Sequence, residues 1–293
     1  MTFVITGATG SLGRLVVEAL LDQNVPAGQI VATGRDLAKI ADLAERGVQV
    51  RPVDYNDPES LRQAFKGAEK VLLISGSEVG QRIEQHRNAI KAAQEAGAAL
   101  IAYTSVANAD NTGMQLAAEH QATEEVLRAS GVPFTLLRNG WYLENYTGQL
   151  AVHLQHGAVL GSAGQGKVSA AARADYAQAA AAVLLKEGQA GKVYELGGDQ
   201  AFTLNDLAEE ITAVTGQPVR YQNLPAEQYA KVLQDAGLPE AYAAILADSD
   251  LGIARGDLLV TGNDLSSLIG RPTTPLREAV QAAANSLPGR QTD

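Results

Sequence analysis

The sequence predicts an α/β fold: a doubly wound parallel sheet with a smaller, discontinuous C-terminal lobe. Three observations predict it. Short apolar, β-branched runs alternate with amphipathic stretches as far as residue 140. A glycine-rich turn joins the first run to the first such stretch. Beyond residue 140 the alternation gives way to Gly157, Gly161, Gly164 and Gly166 and resumes only briefly. Strands that feed helices at this spacing return by right-handed crossovers, which covers one parallel sheet with helices on both faces.

Residues 2–6 (TFVIT) suit a buried parallel strand. In 11–23, Leu12, Leu15, Val16, Ala19 and Leu20 recur at helical spacing and form one apolar stripe. A second strand is expected at 29–33 with a helix at 36–46, and a third strand at 48–53. The helix at 57–66 opens on Asp57 and Pro58, a cap and a first-turn proline. Strands at 70–75 and 100–104 flank a long helix near 80–96. A helix over 116–129 and a sixth strand over 133–138 complete the regular part. A helix over 140–155 leads into the glycine-rich loop, followed by an Ala-rich helix at 174–186 and a further sheet strand at 192–196. Thr203 caps a helix that stops at Gly216. A short strand at 218–222, helices near 225–236 and 239–247 and a last helix from Pro275 follow. The polar tail after Pro288 is expected to fray. The expected division is 1–140 plus 168–198 for the sheet domain, and 141–167 plus 199–293 for the smaller lobe.

The 293 residues suffice for one large domain or two smaller ones. There is no cysteine, which excludes a disulfide framework, a zinc–thiolate site, an iron–sulfur cluster and a cysteine nucleophile. A net charge of −10 argues against nucleic acid or an anionic membrane as partner. The start MTFVITGATG lacks the basic and apolar regions of a signal peptide, and no window approaches a membrane span, so a cytoplasmic protein is expected.

Gly7-Ala8-Thr9-Gly10-Ser11-Leu12-Gly13 is spaced G-x-x-G-x-x-G directly between a strand and a helix. Glycines there permit a tight turn and let the backbone approach a pyrophosphate, while the helix N-terminus adds free N–H groups. At the first strand–helix turn this predicts a Rossmann-type dinucleotide site; the alternative is a ligand-free turn that packs the helix closely. The second strand ends at Thr33-Gly34-Arg35-Asp36. Arg35, the first charge, can grip a 2′-phosphate through its fork, which predicts NADPH as cofactor. Asp36 beside it could instead serve a ribose. Asp54-Tyr55 would lie near an adenine, unless Asp54 is a turn residue that caps the helix starting near Asp57. Asp248-Ser249-Asp250 reads as a helix terminus and not a metal site.

The turn GATGSLG, the segment Leu72 to Gln81 (LLISGSEVGQ), Ile101-Ala102-Tyr103-Thr104-Ser105, the segment Leu136 to Tyr146 (LLRNGWYLENY), Arg173-Ala174-Asp175-Tyr176 and the ending Leu268 to Leu276 (LIGRPTTPL) resemble one family. It is the NmrA-like branch of atypical short-chain dehydrogenases, and the resemblance covers essentially the whole chain. It implies a Rossmann-type NADPH-dependent oxidoreductase that passes hydride to quinones. Its pyrophosphate loop falls on Gly7, Thr9, Gly10, Ser11, Leu12 and Gly13, and its 2′-phosphate arginine on Arg35. Ser75, Gly76 and Ser77 would pass along the cofactor. Arg138, Asn139, Gly140, Trp141, Tyr142 and Leu143 would flank the nicotinamide, and the loop Ala170 to Asp175, with Arg173, would close over it.

Ordinary short-chain dehydrogenases polarise a carbonyl with a Ser and a Tyr-x-x-x-Lys pair. Ser105 stands where that Ser would, but the next helix offers His120 and Glu124 in place of Tyr and Lys. The usual acid and cation are therefore missing. A quinone needs neither, because it is a strong hydride acceptor and positioning does most of the work. His120 is a candidate proton donor or a structural residue. Asn139 is a candidate to orient the nicotinamide or a quinone carbonyl, and Trp141 and Tyr142 offer flat faces for a ring or pack the lobes together. His86, Arg87, His153 and His156 are scattered and read as structural or surface residues. The expected partner is a small aromatic or quinone substrate; a homodimer is compatible with the sequence, which leaves oligomeric state open. The competing readings are a reductase of dyes, imines or aldehydes on the same fold, and a non-catalytic regulator that senses NADP(H).

Overall fold

The computed structural model describes residues 1–78 and 80–287; the expected fraying after Pro288 lies outside the described residues, as does Val79 of the segment Leu72 to Gln81. The regular part comprises β1 (Phe3–Ile5), α1 (Ser11–Asp22), β2 (Ile30–Gly34), α2 (Ala41–Glu45), β3 (Gln49–Pro52), α3 (Pro58–Phe65), β4 (Lys70–Leu73), α4 (Arg82–Glu95), β5 (Leu100–Val106), α5 (Gln115–Ser130) and β6 (Phe134–Asn139). Then come α6 (Glu144–Thr147), α7 (Leu150–His156), β7 (Ala158–Gly161), α8 (Arg173–Leu185), β8 (Val193–Leu196), α9 (Leu204–Thr215) and β9 (Arg220–Asn223). Helices α10 (Ala226–Asp235), α11 (Glu240–Arg255), α12 (Asp264–Ile269) and α13 (Leu276–Asn285) follow.

Seven strands form one sheet in the order β3-β2-β1-β4-β5-β6-β8, and every neighbouring pair is parallel. The winding reverses between β1 and β4, so a crevice opens at the carboxyl ends of those two strands. Strand alternation sorts the core. Phe3 and Ile5 pack with Val16, Leu20, Ala180 and Val183 of α1 and α8, while Val4 packs with Leu61, Phe65 and Ile90 of α3 and α4. Lys70 is buried in β4, where its Nζ donates to the carbonyls of Leu184 (2.8 Å) and Lys186 (3.3 Å). The cation thus meets the exposed carbonyls and negative pole at the end of α8. A second parallel pair, β7 with β9, belongs to a separate core containing Val159, Phe202, Leu207, Ile211, Ile253 and Val280.

Four expectations change. The helix expected over 140–155 begins only at Glu144 and breaks near Gly148. Its first residues pair laterally instead: Ala171 N–H donates to Trp141 O, and Leu143 N–H to Ala171 O. The glycine-rich loop contains β7, whose backbone pairs with β9 more than fifty residues later. The helix expected at 36–46 is a 3-10 turn (Leu37–Ile40) followed by short α2. Asp248 to Asp250 is no helix terminus, because α11 continues to Arg255. Ser249 Oγ returns its proton to Ile245 O, and the two carboxylates leave the helix to accept from Gln115 N–H and Ser162 N–H.

Burial pushes the Asp250 carboxyl up to about 6, with the Ser162 N–H opposing. The unfolded chain titrates near the usual value of about 4, so the native form holds the extra proton between the two values. Stability therefore falls as pH rises through that window and stays lowered above it. Asp250→Asn keeps the acceptor for Ser162 and removes the buried charge. It should raise Tm by several degrees at about pH 8 and by little near pH 4; an equal gain at both pH values contradicts this account.

Candidate active site

The glycine turn is built by contacts that tolerate no side chains. Gly7 has φ +61°, the left-handed region, and accepts the Gly10 N–H at 2.9 Å. A Cβ on Gly13 would lie 2.4 Å from Gly7 O, so α1 sits directly on the turn. A Cβ on Gly34 would lie 2.4 Å from Thr9 Cγ2, which ties the turn to the end of β2. Gly10 precedes α1 without a side-chain cap, and the first turn carries no acid. Its N–H groups and positive pole are thus available to an anion.

This turn floors a cavity of about 430 Å³. Its walls include Thr9, Ser11, Leu12, Arg35, Asp54, Tyr55, Ser75, Gly76, Ser77 and Arg173, all singled out from the sequence. Gly34, Val53, Ile74, Glu78 and Gln85 also line it, residues to which the sequence alone assigns no role. Glu78 stood within a recognised segment, but nothing local told which way its side chain turns. Arg35 is 67% exposed at the mouth, with Nη1 2.6 Å from Glu78 Oε1. Asp36, the rival for a ribose, instead caps the next turn by accepting from Ala38 N–H. Asp54 accepts from Asn56 N–H while Asp57 caps α3, so Asp54 both shapes its own turn and lines the cavity. The Tyr55 hydroxyl lies 2.6 Å from Thr6 Oγ1 and 3.0 Å from Ile74 O, and burial holds the phenol well above its usual range.

The wall after β4 is held from behind. Gly76 N–H donates to His86 Nε2 at 3.0 Å, and Arg82 Nε–H donates to Gly76 O. Because Nε2 accepts, Nδ1 carries the proton and faces Thr123 Oγ1 at 2.9 Å. Burial, then Arg82, pushes His86 down to about 3, so it stays neutral and serves as a fixed acceptor.

At the other end, Arg173 connects the cavity to the segment after β6. Its guanidinium lies 4.7 Å over the Tyr142 ring, and its Nη2 donates to Asn145 Oδ1. Glu144 accepts the Arg173 N–H and so caps α8. Tyr142 also meets Tyr176 edge to face at 5.3 Å. Burial raises the Tyr142 phenol, although Asn139 lies close enough to oppose the shift. Asn139 is buried, and its Oδ1 has no hydrogen-bond partner. Trp141 is half-buried against the core that holds Val159 and Phe202, and Leu143, Gly140 and Ala170 are buried, none of them lining the cavity.

Asn139 and Tyr142 do not line the cavity either, and four further candidates, Arg138, Ser105, Asp175 and His120, are likewise absent from its walls. Arg138 is 4% exposed and committed to carboxylates: Nε and Nη2 donate to Glu124 (3.0 and 2.6 Å), and Nη1 reaches Asp110 (2.8 Å) and Glu195 (3.1 Å). Burial opposes its charge, but these bonds outweigh burial and hold it protonated. Ser105 Oγ donates to the same Glu124 at 2.6 Å. Asp175 is fully buried and accepts from Arg271 and from Thr274 N–H, pinning the chain that leads to α13. His120 is 5% exposed, with Nδ1 2.8 Å from the Tyr103 hydroxyl. Burial, with Arg82 and His86 adding to it, pushes His120 down to about 3. The positions of the ordinary Ser, Tyr and Lys are therefore occupied by an inward-facing brace. His120→Gln should lower quinone turnover by less than the roughly 10²–10⁴-fold of a lost general acid; a loss of that full size with intact cofactor binding would overturn this placement.

The strand order, the glycine turn at the reversal point and the cavity it floors define a Rossmann-type nucleotide-binding protein. The chain belongs to the NmrA-like family, whose sequence model matches residues 1–252. It is 52% identical over 281 residues to quinone oxidoreductase 2 of Escherichia coli K12, covering 96% of this chain and 98% of that one. It also matches the crystal structure of NADPH-dependent quinone oxidoreductase QOR2 from Escherichia coli complexed with NADPH. That match has a TM-score of 0.93 and 51% identity, covering 97% of this chain and all of that one. The triphenylmethane reductase of Citrobacter sp., complexed with NADP(H), matches with a TM-score of 0.91 at 41% identity over 96% of this chain and all of that one.

Proposed function

We propose that the protein is an NADPH-dependent oxidoreductase that transfers hydride to quinones. The observation that carries this reading is an open, glycine-floored cleft beside a sealed brace of Ser105, Glu124 and Arg138, where carbonyl chemistry would need its acid. The half-identical, full-length relative from Escherichia coli supports the same activity, and the dye-reductase and nucleotide-sensing readings are not favoured. Bound NADPH supplies the hydride.

In this reading the chain binds and orients. The amides of Ser11 to Gly13, on the turn that Gly7 and Gly10 close, hold the pyrophosphate and Arg35 the 2′-phosphate. Ser75 to Ser77 line the dinucleotide, and Arg173 clamps its nicotinamide half while its flank rests on Tyr142. Asn139 Oδ1, buried and without a partner, accepts from a carboxamide N–H or a quinol O–H. Tyr142 lends a flat face, and solvent supplies the proton. Residues 1–140 plus 168–198 hold the cofactor, and the remaining lobe shapes the acceptor side. Cytoplasmic residence, where NADPH is regenerated, and a homodimer belong to the same reading.

The test is NADPH oxidation on adding a simple benzoquinone. Acceptor-dependent oxidation is expected; tight NADPH binding without it would leave a nucleotide-sensing role.

A further inference from the structure

We propose that Glu78 sets the cofactor preference from the opposite bank of the cleft by competing with the 2′-phosphate for Arg35. The inference rests on the reading of Arg35 as the phosphate grip. Three elements converge at the mouth of the cavity. Arg35 follows β2, Glu78 lies after β4, and Gln85 stands on α4. Arg35 Nη1 lies 2.6 Å from Glu78 Oε1, and Gln85 Nε2 donates to Glu78 Oε2 at 2.9 Å. The backbone two residues before Glu78 is fixed by His86 and Arg82 at Gly76, and Gly80 N–H two residues after it is held by Glu119 Oε1. Glu78 is therefore a held carboxylate and not a free surface charge.

A carboxylate and a phosphate use a guanidinium fork in the same way, so Arg35 cannot serve both fully. The pair is exposed on the arginine side, at 67%, and an exposed pair is weak enough for a phosphate dianion to displace it. The displaced carboxylate stays on the cavity wall, tethered by Gln85, and repels the phosphate. A ribose 2′-hydroxyl reverses this sign. It is a donor, and Glu78 is an acceptor within the same cavity. Glu78 thus weakens NADPH and favours NADH, and it narrows a preference that Arg35 creates.

Titration calorimetry with adenosine 2′,5′-bisphosphate, NADPH and NADH tests this on the intact protein and on E78Q and R35A, with no acceptor needed. Glutamine keeps the shape and the bond to Gln85. E78Q should tighten the bisphosphate and NADPH by about threefold or more and weaken NADH, so that the preference ratio rises roughly tenfold. A ratio that stays at the value of the intact protein, or moves toward NADH, overturns the proposal. R35A separates the two layers. If it weakens the bisphosphate while E78Q changes nothing, the role of Glu78 fails alone. If R35A leaves bisphosphate binding unchanged, the reading of Arg35 fails and the proposal with it.

Discussion

A small benzoquinone will oxidise NADPH at least about 100-fold faster than a saturated cyclic ketone at equal concentration, the margin a positioned general acid commonly supplies. A ketone accepts hydride at one carbon and leaves an alkoxide that must be protonated as it forms. The groups that would do this are turned away. Ser105 Oγ–H donates its hydrogen bond to Glu124, and Glu124 is 1% exposed within the bonds of Arg138 and Arg128. His120, standing where the tyrosine would, is buried, neutral and bonded to Tyr103. A quinone spreads the added charge over its ring and both oxygens, so orientation against Tyr142 and proximity to the nicotinamide suffice. Initial rates under identical NADPH decide it. A ketone rate matching the quinone rate would mean that another residue has taken over the acid's role.

Replacing Arg138 by Met will destabilise the protein by about 3–5 kcal/mol while leaving the KM for NADPH within about threefold. Arg138 is the hub of an array in which Glu124 is buried with it, Glu195 is partly exposed and Asp110 is exposed. Without it, Glu124 keeps only the half-exposed Arg128 as a cation, and Asp110 and Glu195 lose theirs. A buried carboxylate left with one half-exposed cation is expensive, because its desolvation is no longer offset by a buried partner. The family resemblance sets the Arg138 to Leu143 segment beside the nicotinamide, and the two roles predict opposite outcomes. Denaturant unfolding reads the stability, and saturation kinetics reads the cofactor. A raised KM with unchanged stability would return Arg138 to the cofactor site.

The same array shows where local sequence stops being informative. Ser105, Arg138 and Glu195 are consecutive partners across β5, β6 and β8. That alignment depends on strand register, which no segment of the chain carries by itself. The inward turn of His120, the commitment of Asp175 to Arg271 and the bond between Arg35 and Glu78 likewise join residues 17 to 96 positions apart. The break between α6 and α7 has the same origin, since residues 141–143 spend their backbone groups on residue 171. By contrast, the strand–helix alternation, the glycine spacing and the capped α3 and α9 were legible because each is fixed within a few residues. So was the cavity floor, whose glycines follow from steric contacts inside one turn and its neighbouring strand end. The sequence by itself thus determined the fold class, the glycine cradle and the missing Tyr/Lys pair. Only the tertiary structure decided which charged side chains face the cleft and which brace the core, because ion pairing is settled by register and burial between distant segments.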